Sequence, residues 1–354
     1  MHLKNVDRDV FRTALALIVG ALAVVFDTTI TSIALPTLVH DLHSSVSEIQ
    51  WVSTGYLLSL SVVIPLAAWA QSRVGGKRLW LISLTIFMIG SILCSLAWSA
   101  PSLIAFRAVQ GIGGGLMLPL MATLVMQAAR GRNLGRTMAM ISLPAVLGPI
   151  LGPVVGGLIL HWLDWRWLFW VNVPFCVAGF ALAWRYLPAD PRRTRTRLDV
   201  VGLALLAPGI LGILLGLSNL GRSGPVWLPL ILGAALLVGF AGYALRARGR
   251  ALVDVRLVIR QPLASTSAIL FLAGTALYGA MLLLPLYWQE VHGASVLTAG
   301  LLLLPQGVGN LLTRTLAGRL TDTIGARWVA FGGFAVVGLA TVPFALSDNV
   351  WLQP

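Results

Sequence analysis

Charge is what this sequence has least of. Charged side chains make up 10% of its 354 residues, where an average soluble domain carries roughly 25%, and that excludes an ordinary water-soluble globule. Acids are scarcer still, 12 against 25 lysines and arginines. Cysteine is almost missing. Cys94 and Cys176 both lie in apolar runs and read as small buried hydrophobes, which excludes a disulfide framework or a cysteine-based metal site. The histidines, His2, His40, His43, His161 and His292, fall near the ends of apolar runs. No cluster of nucleophile, paired acids or metal ligands emerges, so neither an enzyme nor a cofactor is expected. A cleavable leader is not expected either, because the first apolar run is too long and is followed by many more.

What is there is apolar: 58% of the chain is hydrophobic and its mean hydropathy is +0.88. A bilayer core about 30 Å thick needs roughly 20 helical residues to cross it. Runs of that length predict an all-α polytopic membrane protein with spans at 11–36, 50–71, 79–99, 102–128, 136–160, 167–187, 199–220, 226–246, 262–288, 295–313 and 328–347. The break between the fourth and fifth rests on the basic cluster RGRNLGR. Lysine and arginine concentrate on the cytoplasmic side of membrane proteins, and here all but Arg107, Arg166 and Arg222 fall in or beside alternate connections. That pattern predicts a cytoplasmic N-terminus in a bacterial inner membrane. The net charge of +13 therefore records orientation and not nucleic-acid binding, since it is spread over separate connections.

Two long connections divide the chain. PADPRRTRTR (188–197) reads as a linker, and RARGRALVDVRLVIRQP (246–262) contains a stretch fit for a short amphipathic helix at the membrane face. The expected organisation is a six-helix bundle at 1–187, a basic linker with two additional spans and a cytoplasmic connection at 188–261, and three helices of an incomplete second bundle at 262–354. Repetition supports related halves. AAWAQSRVGGKR follows the second span and AGRLTDTIGARW the tenth; a shift of 250 residues superposes Ala68 on Gly318, Ser72 on Asp322, Gly75 on Gly325 and Lys77 on Arg327.

One acid, Asp27 in AVVFDTTITSIALP, lies near a span's middle; the others sit at ends or in connections. Inserting a charge there costs about 2.5–3.5 kcal/mol on translocon scales, so such residues are usually functional and face the bundle interior. Burial disfavours an ionised carboxyl and brings proton exchange nearer neutral pH. The first reading is that Asp27 binds protons or a cationic substrate. The second is a neutral carboxyl hydrogen-bonded to Thr28, Thr31 or a neighbouring helix for packing.

The hairpin motif GxxxDxxGxR, complete as Gly318, Asp322, Gly325 and Arg327, resembles that of the major facilitator superfamily. FDTTITSIALP, RAVQGIGGG, GPILGPVVGG and WRWLFWVNVP are similar to motifs of its 14-helix drug:proton antiporter branch. The resemblance implies a major facilitator fold with about 11 transmembrane helices present. It also implies export of lipophilic, often cationic, drugs or metabolites in exchange for protons by alternating access, by a monomer. Arg107, with Gln110 one turn on, is implied in proton coupling; the alternative for Arg107 is a side chain snorkelling to the outer surface. Thr31, Trp51, Tyr56 and Asn172 are candidates for the cavity.

In the fifth span Gly148, Gly152 and Gly156 recur at intervals of four beside Pro149, Pro153 and Gly157, with Ala139 where the family often has glycine. Small residues so spaced let helix backbones approach closely, and prolines permit bending; by resemblance this marks exporters. Trp162, Trp165, Trp167 and Trp170 read as an interfacial belt, and Met117, Met121 and Met126 as packing. The first hairpin departs from the family at Ser72, where an acid is expected. Its charge network with Arg73, Gly75, Lys77 and Arg78 is therefore expected to be incomplete. A 14-helix member would have three more helices after residue 347, so a fragment, a truncation, assembly with another chain or a non-transporting scaffold stay open, as does an uptake permease.

Overall fold

A computed structural model describes residues 2–129, 141–190, 197–219, 227–247, 251–261 and 263–346. RGRNLGR, Ala139, Arg192, Arg193, Arg195, Arg222, Arg248 and Arg250 lie outside the described residues, as do the side chains of Pro149, Arg314, Gly318, Arg319 and Asp322. Among the described residues the regular structure is entirely helical. The helices are α1 (His2–Asp41), α2 (Val46–Val63), α3 (Ala67–Val74), α4 (Gly76–Ser95), α5 (Ala100–Ala129), α6 (Leu143–Trp162), α7 (Trp167–Trp170) and α8 (Asn172–Tyr186). They continue as α9 (Val200–Ser218), α10 (Trp227–Arg246), α11 (Val255–Ile259), α12 (Leu263–Leu286), α13 (Val296–Leu302), α14 (Leu304–Ile324) and α15 (Ala326–Leu346).

Eight helices among the described residues are long and apolar enough to cross a membrane, and shorter apolar helical stretches run over Leu151–Trp162 and Ala326–Val342. The differences from the expected spans have local causes. α1 continues at both ends beyond 11–36 and passes through Pro36 without stopping. The hairpin expected around 68–78 is helix on both sides of one residue, Gly75, because φ of +99° there reverses the chain at a single position that glycine tolerates. Gly325 does the same at φ +88°, so the tenth span extends through α14 to Ile324. The ninth continues past Pro285 into a π-helical turn at Tyr287–Val291. The amphipathic stretch yields only the five residues of α11.

Helix ends are closed by side chains where the chain leaves the apolar runs. Ser45 Oγ accepts from the Glu48 N–H at 3.2 Å, and Ser295 Oγ accepts from Thr298 at 3.1 Å. Helix α1 is the hub: it packs against α2, α5, α6 and α8. Two apolar clusters form around it. One is built on residues such as Leu17, Val24, Trp80 and Met117; the other on Ile30, Leu38, Leu103 and Phe169. Asp27 sits between them along α1. Helices α9 and α10 form a separate tight pair, in which a Cβ at Gly212 would lie 2.9 Å from the Gly233 Cα. Helices α13 and α14 reach the first six spans through α6.

Candidate functional site

Glycine explains how the polar groups meet. The run Gly111, Gly113, Gly114 and Gly115 in α5 leaves no room for a methyl against α2 and α4: a Cβ at Gly113 would lie 2.5 Å from the Phe87 nitrogen, and one at Gly115 2.6 Å from the Leu60 carbonyl. Gly90 of α4 is pressed on the Gln110 backbone in the same way, at 2.6 Å from its Cα. Such close backbones bring the side chains of neighbouring helices into one layer.

In that layer Asp27 and Arg107 form an ion pair with both side chains 1% exposed. Arg107 Nη1 donates to Asp27 Oδ2 and to Gln110 Oε1 at 2.7 Å, and Nε donates to the Val52 carbonyl at 3.3 Å. Gln110 Nε2 donates to Asp27 Oδ1 at 2.9 Å and Asn172 Nδ2 to the same oxygen at 2.8 Å. The guanidinium also lies 4.2 Å from the centroid of the Tyr56 ring and 5.7 Å from that of Phe169, a cation–π arrangement strengthened by burial. A buried charge that loses its partner is costly, commonly about 3–5 kcal/mol, so each member depends on the others.

The structure places the other candidates one by one. Arg107 is buried and does not snorkel. Thr28 and Thr31 do not hold the carboxylate; their hydroxyls donate to helix carbonyls, of Val25 at 2.8 Å and of Asp27 at 2.6 Å, the usual alternative for a threonine inside a helix. Trp51 is half-buried on α2 and makes no ring or hydrogen-bond contact with the pair among the described residues. Trp162, Trp167 and Trp170 are exposed, whereas Trp165 is buried beneath Arg166, whose guanidinium lies 4.4 Å from its centroid. Met117 and Met121 are core residues.

The glycines of α6 face α1 beside Asp27. A Cβ at Gly148 would overlap Val25, one at Gly152 would overlap Thr29, and one at Gly156 would lie 2.9 Å from Ile33 Cγ2. Pro153 and Gly157 are buried in the same helix, and a Cβ at Gly300 of α13 would come 2.5 Å from the Pro153 carbonyl. The stripe therefore joins α1 to the later helices.

At the hairpins, Arg73 lies 5.9 Å from the Trp69 centroid and Arg327 5.9 Å from that of Trp328. Ser72 Oγ donates to the Trp69 carbonyl at 2.7 Å. The first hairpin does have an acid, contrary to the expectation from its own sequence: Asp190 accepts from the Lys77 N–H at 2.7 Å and the Arg78 N–H at 3.3 Å. The backbones of Gly318 and Asp322 lie in α14. Sequence reasoning also missed Ser91, whose hydroxyl accepts from Asn172 Nδ2 at 3.0 Å and donates to the Phe169 carbonyl at 2.8 Å. A serine in an apolar span was its only signal; Asp190 was hidden in a segment read as linker.

Comparison with known proteins agrees with this architecture. The chain is 34% identical to the "Multidrug resistance protein B homolog" of Mycobacterium tuberculosis (strain H37Rv), over 99% of its own length and 66% of that protein's. It thus spans just under two thirds of that relative. It is 31% identical to the lincomycin resistance protein LmrB of Bacillus subtilis (strain 168), over 91% of this chain and 68% of that one. Among solved structures, the xylose transporter XylE from E. coli, partially occluded and inward open, matches with a TM-score of 0.57 at 16% identity, covering 89% of this chain and 74% of that chain. The similarity to XylE concerns the fold. The model of the Major Facilitator Superfamily matches residues 17–353, which is nearly the whole chain, and this places it: the chain belongs to the Major Facilitator Superfamily.

Proposed function

We propose that the protein exports lipophilic compounds, cations included, in exchange for protons by alternating access, with Asp27 as the proton-exchanging group and its N-terminus in the cytoplasm of a bacterial cell. The observation that carries this reading is the Asp27–Arg107 pair, buried between two apolar clusters. A proton placed on Asp27 removes the negative member of the pair and leaves the Arg107 charge with the Tyr56 and Phe169 faces, the Val52 carbonyl and Gln110 Oε1. That change of partners is a local electrostatic event of the kind that biases a two-state element. The element nearest to hand is α6, whose glycines rest on α1 at Val25 and Thr29, on either side of Asp27 in sequence. The names of the relatives, which specify multidrug and lincomycin resistance, support an exported drug-like substrate.

The test is ethidium movement driven by a proton gradient in inside-out vesicles. Asp27→Asn keeps side-chain volume and one acceptor oxygen while removing the ionisable group. Proton-driven uptake into the vesicles is expected to fall at least tenfold, with the variant still inserted and folded. Unchanged gradient-driven transport by that variant sinks the proposal, and movement of ethidium in the opposite direction sinks the export assignment.

A further inference from the structure

Helix α4 begins against its own electrostatics. The N-terminus of a helix carries partial positive charge and favours acids, yet the first turn of α4 has no acid and holds Lys77 and Arg78. Asp190, four residues beyond the end of α8, corrects this from outside by accepting from both their amides, at 2.7 Å and 3.3 Å. The favour is returned. Lys77 Nζ donates to the Trp184 carbonyl at 2.6 Å and the Leu187 carbonyl at 3.0 Å, at the C-terminal end of α8, where cations are favoured. Each helix end is capped by a residue belonging to the other.

The two hairpin glycines show that this contact is built in. Gly75 and Gly325 share nearly the same backbone, φ/ψ of 99°/153° and 88°/151°. Among the described residues a Cβ at Gly325 would meet nothing within 4 Å, whereas at Gly75 it would strike the Asp190 carboxylate and come 2.7 Å from the Asp190 Cβ. The dihedral explains glycine at 325. At 75 the missing side chain also makes the seat for the acid. Ser72, which occupies the position matching Asp322 under the 250-residue shift, directs its hydroxyl to its own helix at Trp69.

We propose that Asp190 and Lys77 form a reciprocal clasp between α4 and α8, in which Asp190 is the positioning carboxylate that serves the first hairpin in place of the acid absent at Ser72. The clasp acts on the site through the helices it joins. α4 carries Ser91 and α8 carries Asn172, and these two meet beside Asp27. Fixing the register of α4 against α8 at their hairpin-side ends holds that distant contact in place.

The experiment uses the full chain in lipid vesicles, with amide hydrogen exchange and ethidium/proton exchange measured on the same preparations. In Asp190→Ala, exchange at Lys77 and Arg78 is expected to quicken at least tenfold while the amides following Gly325 keep their rates. Ethidium turnover is expected to fall several-fold at unchanged KM, and adding Ser72→Asp to recover at least half of it. Asp190→Asn, which keeps one acceptor oxygen, is expected to lie between; it decides the matter if the alanine variant loses protection throughout. Unaltered exchange at Lys77 and Arg78 overturns the clasp. Quickened exchange with full turnover, or lost turnover that Ser72→Asp does not recover, overturns the positioning role. That role rests on the proton-exchange reading above, while the amide rates do not: a wild-type chain that moves no ethidium defeats that reading and leaves the clasp to be judged by exchange alone.

Discussion

Helices α1 to α8 and helices α12 to α15 turn their hairpins with the same one-residue device, but they keep different things from water. The first group encloses Asp27, Arg107, Gln110, Asn172 and Ser91. In the second, the described buried side chains are few and apolar, Met281, Ala299 and Leu303 among them. Among the described residues, then, a repeated backbone carries different chemistry, and the buried ion pair lies in the first group.

The sharpest way to break that contrast is to delete one cation from each group. Arg107→Leu leaves the buried Asp27 carboxylate with Gln110 and Asn172 but no cation and is expected to cost about 3–5 kcal/mol, read as loss of folded protein in detergent thermal denaturation. Arg327→Leu removes an exposed charge and is expected to stay within about 0.5 kcal/mol of wild type. Equal losses would show that the interior pair has no special weight.

The hairpins allow a finer comparison. Gly75→Ala and Gly325→Ala both force a Cβ into a positive-φ region that is essentially reserved for glycine, which costs about 1–3 kcal/mol. Only the first also displaces Asp190, so its melting temperature is expected to drop further. Indistinguishable shifts would mean that the acid yields without cost.

The smallest effect concerns an acid outside both groups. Asp199 caps α9 by accepting from Gly202 at 2.8 Å, and it also accepts from Tyr243 at 2.7 Å and Leu252 at 2.9 Å. Burial pushes its carboxyl up, but those hydrogen bonds outweigh it and hold the group below its ordinary value. Its stabilisation is therefore complete above the usual carboxylate range, about pH 4, and is lost as pH falls through the depressed value. Asp199→Ala is expected to cost about 1 kcal/mol, typical of a lost cap, in melts at pH 7, and the deficit to shrink toward zero in strongly acidic buffer. A deficit that persists there would assign the effect to packing.

Much of this was legible in the sequence because hydropathy and helix length are local properties: apolar runs mark the helices, and one acid amid such a run marks itself. Arg107, Gln110 and Asn172 stand in two recognisable motifs, and the structure brings them onto Asp27. What could not be read is contact at a distance. Nothing near Ser91 says that Asn172 will reach it from 81 residues away, and Asp190 lies 113 residues from the amide it caps. Thr31 is the local counterpart, since its hydroxyl donates to its own helix at the Asp27 carbonyl. Gly75 shows the same limit, because its sequence announces a turn but not that the turn is also a socket.

The apolar clusters on either side of Asp27 have one more consequence. If Asp27 exchanges protons as proposed, they serve as insulation against a continuous file of water from one compartment to the other. A polar residue introduced in either, Leu17→Asn in one or Leu38→Asn in the other, would then act less as a flaw in packing than as a short circuit.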